Sequence, residues 1–543
     1  MRAVLLSLSL FALILAAGPD SYAQAPDDHG PTAHGQGEHL GKVSFFVSCN
    51  AEAGRRFQQA MARLHSFWWD AGESAFRRVL EADPGCGMAY WGLALNAWGN
   101  PFASGPSGPS LAAGAAAAAK AESLSARTPR ERGFIAAAAA LYREPDRTSN
   151  PDRLQAYADT MARVYRDFGQ DMEVAIYYAL AQLATAPKTD TTFAQQRRAV
   201  AILNPLFARH PQHPGLAHYV IHATDSPRLA PLGLTAARRY AHIAPAAPHA
   251  QHMPSHIFIR LGYWDETIAS NLAAYRSGMA HAKAMRIGPV GEQLHALDYA
   301  VYGYLQEGRD SAARSAVSMA QRLEVPPTGL VGDYNRIAMA ARVPLETGDW
   351  KTAAKFPPAV SQGLGTEIML SRFTRAIGAG RSGDAAAAMR EVAVLDSLAR
   401  GLAVRNETYW SRVTGIKRNA ALAWAKLAQG DTSGALELAR AAADTEEVTD
   451  KHAVTPAELL PARELEADML LEIGRYAEAR VAYQATLARE RGRARSLFGL
   501  ARAAELAGDR AGAEAAYRKF VRLMSPGGAS RQELATAKKF LGT

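Results

Sequence analysis

The strongest constraint on the fold is a repeated pattern of two helices joined by a glycine turn. Near the C-terminal end, in LLEIGRYAEARVAYQATLARERGRARSLFGLARAAELAGDRAGAEAAYRKFV, Gly474 and Gly508 lie 34 residues apart. A charged residue follows each glycine, and small residues come after it where two helices must approach closely. A period of this length predicts helix pairs that stack on their neighbours and share one continuous core.

The same pattern recurs along most of the chain at less regular spacing. Further units, 35 to 47 residues apart, are anchored on Gly262, Gly308, Gly348, Gly383 and Gly430. Alanine is abundant, β-branched residues are sparse, and apolar residues recur at helical spacing. With glycine at the turn, alanine in the second helix and aromatic residues between, the chain resembles the tetratricopeptide repeat family. It also resembles exported bacterial members of unassigned activity that carry similar SHIFIRLG and MAYWG segments.

The resemblance implies an all-α fold, a tetratricopeptide-type α-solenoid. In such a fold antiparallel helix pairs form a right-handed superhelix, and the first helices of the pairs line a concave groove that binds ligands. A chain of 543 residues would otherwise be expected to form several globular domains, but one core does not limit the size of a repeat array. We expect an N-terminal array over residues 43–325 and a C-terminal array over residues 326–543.

Residues 1–23 are typical of a cleaved signal peptide. They contain one arginine, an apolar stretch over Ala3–Ala17 and the small-residue tripeptide Ser21–Ala23. No later run is long and apolar enough to predict a transmembrane segment. Residues 24–42 are rich in Gly, Pro, Asp and His and predict a flexible lead-in. We therefore expect a protein that is periplasmic or secreted.

The charge and the cysteines bear on partners and on the compartment. The net charge of +9 comes without a block of basic residues interleaved with aromatic ones, so we expect no nucleic-acid partner. In an oxidising compartment Cys49 and Cys86 favour a disulfide, because the first precedes a predicted helix and the second lies in the turn after its partner helix. The alternative is two buried free thiols.

Histidines concentrate in one stretch, HAQHMPSHIFIRLGYWDETIASN, which begins at residue 249. His256, His252 and His249 lie 6, 10 and 13 residues before the turn glycine Gly262. These offsets share one helical stripe, because neighbours three or four residues apart stack on one face. The resemblance implies that this stripe faces the groove. Pro254 interrupts the stripe, so the helix either kinks or begins there.

Two neighbouring units place similar residues at equivalent positions. In GLAHYVIHATD, His218 and His222 lie 34 residues, one repeat length, before the second and third histidines of that cluster. In the following unit the same three offsets fall on His295, Asp298 and Tyr302. Neighbouring helices pack roughly 8 to 10 Å apart, a distance that side chains from both can bridge to one ion.

These residue types predict a transition-metal site. Imidazole suits zinc, copper, iron and nickel, and a carboxylate can complete the shell or orient a ring. Zinc or copper is the preferred prediction, with iron or nickel less favoured. The predicted ligands are His218, His222, His249, His252, His256, His295 and Asp298. The alternative is that each histidine only bonds to backbone or stacks on aromatic residues.

The leading interpretation is an exported scaffold that binds a protein or peptide in its concave groove and carries a histidine-lined metal site. Arg260 and Tyr302 would supply polar contacts in the groove. A second interpretation is a metal-dependent enzyme, a hydrolase or an oxidase, with Asp298 or His249 as the base. A third is a periplasmic metal-binding or metal-buffering protein. Common enzyme motifs such as Gly-x-Ser-x-Gly are missing, and the sequence leaves the partner and the oligomeric state open.

Overall fold

The computed structural model describes most of the chain. The described residues are 38–103, 105–124, 126–288, 291–324, 330–361, 363–527 and 530–543. The predicted signal peptide and most of the predicted lead-in lie outside them. Residues 39–543 form one compact unit by their internal contacts. The predicted array boundaries at residues 42 and 325 stay predictions.

The described residues are helical and contain no strand. The helices are α1 Ala51–His65, α2 Trp69–Ala82, α3 Gly87–Trp98, α4 Gly108–Ser123, α5 Pro129–Ala140, α6 Asn150–Phe168, α7 Met172–Ala184, α8 Ala194–Arg209, α9 Pro214–Thr224, α10 Ala230–Ile243, α11 Pro248–His252, α12 Pro254–Leu261, α13 Trp264–Met285, α14 Gly291–Gln306, α15 Asp310–Arg322, α16 Leu330–Glu346, α17 Trp350–Ala354, α18 Thr366–Arg381, α19 Ala385–Val404, α20 Thr408–Ala428, α21 Thr432–Glu447, α22 Ala462–Glu472, α23 Tyr476–Arg489, α24 Ala494–Leu506, α25 Arg510–Met524 and α26 Gln532–Leu541. Across this described part, no helix combines the length and the apolarity that crossing a bilayer requires.

The turn glycines predicted from the sequence separate the two helices of each pair. All seven have φ between 68° and 86°, and the next helix begins two residues later. They are Gly262, Gly308, Gly348, Gly383, Gly430, Gly474 and Gly508. A side chain is disfavoured in this left-handed region. At Gly262 a Cβ would also lie 2.6 Å from the carbonyl oxygen of Arg491.

Successive helices pack against each other and alternate helices form a second set of contacts. In the C-terminal half, α14, α16, α18, α20, α22 and α24 contact one another in that order, and each also packs on the helix that follows it in the chain. Short turns make the partners of a pair antiparallel. The chain is therefore a tetratricopeptide-type α-solenoid, and the fold-class prediction is confirmed.

A disulfide joins Cys49 to Cys86 across 37 residues of sequence. Cys49 directly precedes the N-cap residue of α1, and Cys86 is the N-cap residue of α3. Of the two alternatives left open by the sequence, the structure has the disulfide. In the chain-entropy model, closing a loop of this length stabilises the fold by about 3 to 4 kcal/mol.

Residues 450–461, between α21 and α22, are not helical and cross to the N-terminal half; we call them the strap. The first N–H of the strap donates to the carbonyl of Lys188 at 2.9 Å. The guanidinium of Arg342 donates to Thr455 Oγ1 and to the carbonyl of Ala457, both at 2.8 Å. The strap therefore contacts both α16 and the loop that follows α7.

Candidate metal centre

Six of the seven predicted ligands, all of them histidines, lie in two adjacent sets. The first set is His218 and His222 from α9 with His249 from α11, and the second set is His252 from α11, His256 from α12 and His295 from α14. Helix α11 ends at His252 and α12 begins at Pro254. The proline therefore starts a new helix, and this break lets one short segment supply both sets.

The first set turns its Nε2 atoms toward a common point. The Nε2 of His218 lies 3.1 Å from that of His222 and 3.2 Å from that of His249. One ligand atom from each residue lies within 4.8 Å of the other two. His218 is fully buried, whereas His222 and His249 are half-buried.

The second set has the same form. The Nε2 atoms of His252 and His256 lie 3.0 Å apart, and a ligand atom of His295 lies within 4.8 Å of both. The hydroxyl oxygen of Tyr299 lies 3.4 Å from His256 Nε2 and 3.3 Å from the carbonyl oxygen of Thr455 in the strap.

Outer hydrogen bonds fix which nitrogen of several rings carries the proton. His218 Nδ1 lies 2.6 Å from the carbonyl oxygen of His65, and His252 Nδ1 lies 2.6 Å from Asn271 Oδ1. The amide of Asn271 is oriented by its Nδ2, which donates to the carbonyl of Thr267 at 2.7 Å. Both partners are acceptors only, so each Nδ1 must donate.

A carboxylate orients the third ring. His256 Nδ1 lies 2.9 Å from Asp225 Oδ2, and Arg260 Nε donates to Asp225 Oδ1 at 2.9 Å. Burial alone would raise the pKa of Asp225, but Lys451 and then Arg260 hold it well below its usual range. Asp225 is therefore ionised and accepts the Nδ1 proton of His256.

The facing nitrogens of the second set therefore lack a proton between them. When both rings are neutral, His252 and His256 each carry their proton on Nδ1, so each Nε2 has a lone pair and no proton. The two Nε2 atoms lie 3.0 Å apart. Two lone pairs at this distance repel each other unless a cation lies between them. An outer hydrogen bond that fixes the tautomer is also what metal-bound histidines usually have.

Burial keeps the imidazoles neutral, which is the form that binds metal. Burial is the largest cause that lowers the pKa of all six rings. Neighbouring histidines add to the effect on the pKa for five of them, and Lys451 and Arg260 add to it for His256. The pKa of His295 falls to about 3. For His256, Asp225 opposes the effect of burial without reversing it.

The spacing fits two ions of ordinary size. A metal–nitrogen bond of about 2.0 to 2.1 Å places neighbouring nitrogens of a tetrahedral site about 3.3 Å apart. The Nε2–Nε2 separations of 3.0 to 3.2 Å are close to this value. Ring centroids of His249 and His252 lie 6.0 Å apart, and those of His222 and His256 lie 6.3 Å apart, so the two sites would be neighbours.

A third group of potential metal ligands, His65, Glu173 and His213, differs from the two sets because its polar atoms bond to other protein atoms. Glu173 Oε2 lies 3.1 Å from His65 Nε2, and Glu173 Oε1 lies 2.9 Å from His213 Nε2. His213 Nδ1 accepts from the N–H of Leu216, and His65 Nδ1 lies 3.1 Å from the hydroxyl of Tyr219. Every polar atom here has a complementary partner, so these residues need no ion.

Of the other predicted site residues, the structure brings Asp298 and Tyr302 to neither set, and it brings Arg260 only to Asp225. Asp298 is fully buried and its Oδ1 accepts from Arg342 Nε at 2.8 Å. Tyr302 is also fully buried, and its hydroxyl accepts from Arg493 Nη1 at 3.2 Å. Arg260 is 5% exposed and pairs with Asp225 as described above. These side chains contact the protein's own interior in place of an open groove.

Several residues of the centre were not among the predicted ones. Asp225 and Asn271 orient second-set rings, and Tyr299 lies beside them. Asp225 follows His222 by three residues in GLAHYVIHATD and is the C-cap residue of α9, so helical spacing predicts the two side chains on one side. That spacing was the available signal for Asp225. The position of Lys451, 226 residues away from Asp225, had no such signal.

Comparison with known proteins gives little beyond the helical character. No family model matches the chain, and no curated relative matches it. Yeast Tom70 is similar over 90% of this chain and 96% of its own, with 11% identity and a TM-score of 0.33. The human IFIT1 dimer with m7Gppp-AAAA is similar over 77% of this chain and 86% of its own, with 12% identity and a TM-score of 0.32. Scores this low carry no inference about function.

Proposed function

We propose that this protein is a helical scaffold that holds two transition-metal ions, one on each histidine set. The observation that carries the proposal is the pair of facing Nε2 lone pairs of His252 and His256 at 3.0 Å, since the protein supplies no proton to bridge them. Zinc and copper suit imidazole donors, and iron and nickel remain alternatives. Each ion would have three protein ligands.

The ligand number supports an enzyme over a metal buffer. Three protein ligands leave an open position on each ion, as in catalytic sites. Such an ion could activate water or bind a substrate in a hydrolase or an oxidase. Asp298 is not favoured as the base because Arg342 engages it, and His249 turns its Nε2 into the first set. The hydroxyl of Tyr299 is the better placed protic group.

We also propose that the protein is exported, to the periplasm or the exterior. The sequence pattern of residues 1–23 supports this, and so does the disulfide between Cys49 and Cys86. Disulfides persist in oxidising compartments and are rare in the cytosol. The cleavage position after residue 23 stays a prediction.

Partner binding remains a second candidate function, at a different place from the one first predicted. The C-terminal half has a cleft of about 850 Å³ whose lining includes Trp350, Arg381, Arg495 and Phe498. The guanidiniums of Arg381 and Arg495 lie 4.6 and 5.2 Å from the Trp350 ring centre. Aromatic and arginine side chains are enriched in protein interfaces, so a protein or peptide would bind here and not beside the buried histidines.

Elemental analysis of the purified protein tests the metal proposal. We expect two ions per chain after growth with zinc and copper, and one ion in either His222→Ala or His256→Ala, because each removes a ligand from one set. The double variant should hold none while its circular dichroism stays helical. The control is His242→Ala, which removes an exposed histidine and should keep both ions. Metal-free wild-type protein that also fails to take up zinc or copper would contradict the proposal.

A further inference from the structure

An apolar cavity of about 40 Å³ lies beside the first histidine set. Its lining comes from α1, α2, α3, α6, α7 and α9 and from turns beside them, and includes Leu64, Leu95, Leu154, Leu180 and Ala181. The side chains that line it are almost all hydrocarbon or aromatic. The metal proposal makes no use of this cavity.

Two rings that line the cavity contact the first histidine set: Tyr219, whose ring centre lies 5.1 Å from that of His218, and Phe67. Phe67 lines the cavity, and its ring centre lies 4.4 Å from that of His218 and 5.5 Å from that of His249, on which it stacks. Phe67 has φ of 51°, in the left-handed region that a bulky residue rarely adopts. Such strain persists only where surrounding contacts impose it, and it is common at functional sites.

The chemistry of the lining excludes an ordinary water site. A buried water needs two to four polar partners. The hydroxyl of Tyr177, a lining residue, has no hydrogen-bond partner among the described residues, whereas the hydroxyl of Tyr219 is engaged with His65. This buried hydroxyl alone gives fewer than the two polar partners that a water needs. The volume has room for about three molecules the size of water, so only a small apolar molecule would fit.

We propose that this cavity holds dioxygen, a small apolar diatomic gas, and delivers it past Phe67 to the first histidine set. The delivery rests on the proposed metal function, while the occupancy of the cavity does not. An open coordination position on a reduced copper ion at the first set would be the destination. The same route would admit carbon monoxide, which has nearly the same size.

Xenon tests the occupancy without any metal. Crystals of the metal-free protein under xenon pressure should show a xenon peak in the cavity, and Ala181→Leu should remove it by filling the space. Ala181→Val is the milder variant if leucine prevents folding. Ala116→Leu, which adds the same side chain at an exposed position of α4, should keep the peak. A wild-type cavity without xenon would overturn the proposal.

Carbon monoxide tests the delivery. With the copper(I)-loaded protein, we expect Ala181→Leu to slow carbon monoxide association at least tenfold while copper content stays at the wild-type value. An unchanged rate would overturn the delivery. Failure to load copper would overturn both the delivery and a copper centre, and the xenon experiment would still decide whether the cavity takes a gas. The two failures are therefore distinguishable.

Discussion

Single residues of this protein show how burial sets the chemistry of a side chain. Imidazoles lose solvation inside the array, so their pKa values fall and they stay neutral near pH 7. Acceptors on the outer side of His218, His252 and His256 then fix the proton on Nδ1. Burial thus produces the neutral form and the surroundings choose its tautomer, and both conditions favour metal binding.

His452 in the strap gives a test of burial that is independent of metal. Burial, then Lys188 and Lys451, lower its pKa to about 3. An unfolded histidine takes up a proton below about pH 6.5, whereas the folded one does not until about pH 3, so stability is lost as the pH falls through this window. At pH 5 this single group should cost the wild type about 2 kcal/mol relative to pH 7.5.

The measurement is urea unfolding of the metal-free protein at pH 7.5 and pH 5. We expect His452→Asn, whose Oδ1 can replace the Nδ1 that accepts from Val454 N–H, to lose about 2 kcal/mol less than the wild type between these pH values. The exposed-site variant His242→Asn should behave as the wild type. Equal losses in His452→Asn and wild type would show that the buried ring contributes nothing to the pH dependence.

Among the elements, the strap contacts the site although it has no helix or strand. Its Lys451 Nζ lies 3.4 Å from Asp225 Oδ2 and its Thr455 carbonyl oxygen lies 3.3 Å from the Tyr299 hydroxyl. The strap thus covers residues that orient the second set. Because the strap contacts these residues, we propose partner binding in the C-terminal cleft instead.

Arg342 should be the residue that holds the strap in place. It is fully buried, pairs with Asp298 and donates to the strap. Arg342→Met should lower the free energy of unfolding by about 3 to 5 kcal/mol, because it leaves a buried carboxylate unpaired. Hydrogen exchange of residues 450–461 should become faster.

Two further variants distinguish an effect on the strap from an effect on the stability of the whole protein. Arg342→Met with Asp298→Leu should recover part of the stability, because no charge is then left unpaired, but strap exchange should stay fast. Arg336→Met removes contacts from α16 to the carbonyls of Ala320 and Leu323 and should leave strap exchange unchanged. Slow strap exchange in Arg342→Met would refute the role assigned to this arginine.

At the scale of the whole molecule, the proposed ions join elements that are distant in sequence. The two sets draw on α9, α11, α12 and α14, and Asp225 extends the connection to the strap. A ligand that binds only the folded state stabilises it by about 2.7 kcal/mol at one hundred times its Kd. Two ions bound this tightly should therefore raise the free energy of unfolding of the whole protein.

Removal of metal should lower the melting temperature. We expect a chelator to lower the Tm of metal-replete wild-type protein by roughly 5 °C, with recovery on adding zinc or copper. The His222→Ala and His256→Ala double variant should not respond to the chelator. A wild-type Tm that stays constant during verified metal removal would argue against ions that link these helices.

The sequence by itself determined the helix-pair architecture and most of the candidate ligands. Turn glycines and helical periodicity are local signals, because φ sterics and the spacing of apolar side chains act within a few residues. The one-repeat offset between the two histidine pairs predicted their proximity for the same reason, since equivalent positions in stacked units face the same side.

Only the tertiary structure decided how the histidines divide into two sets and what surrounds them. His252 and His256 belong to one set although they lie in different helices, because the chain breaks at Met253 between α11 and α12. Asp298 has the predicted offset, but its carboxylate pairs with Arg342. Lys451 reaches Asp225 from 226 residues away. Contacts at such separations depend on the path of the whole chain, for which the local pattern carries no information.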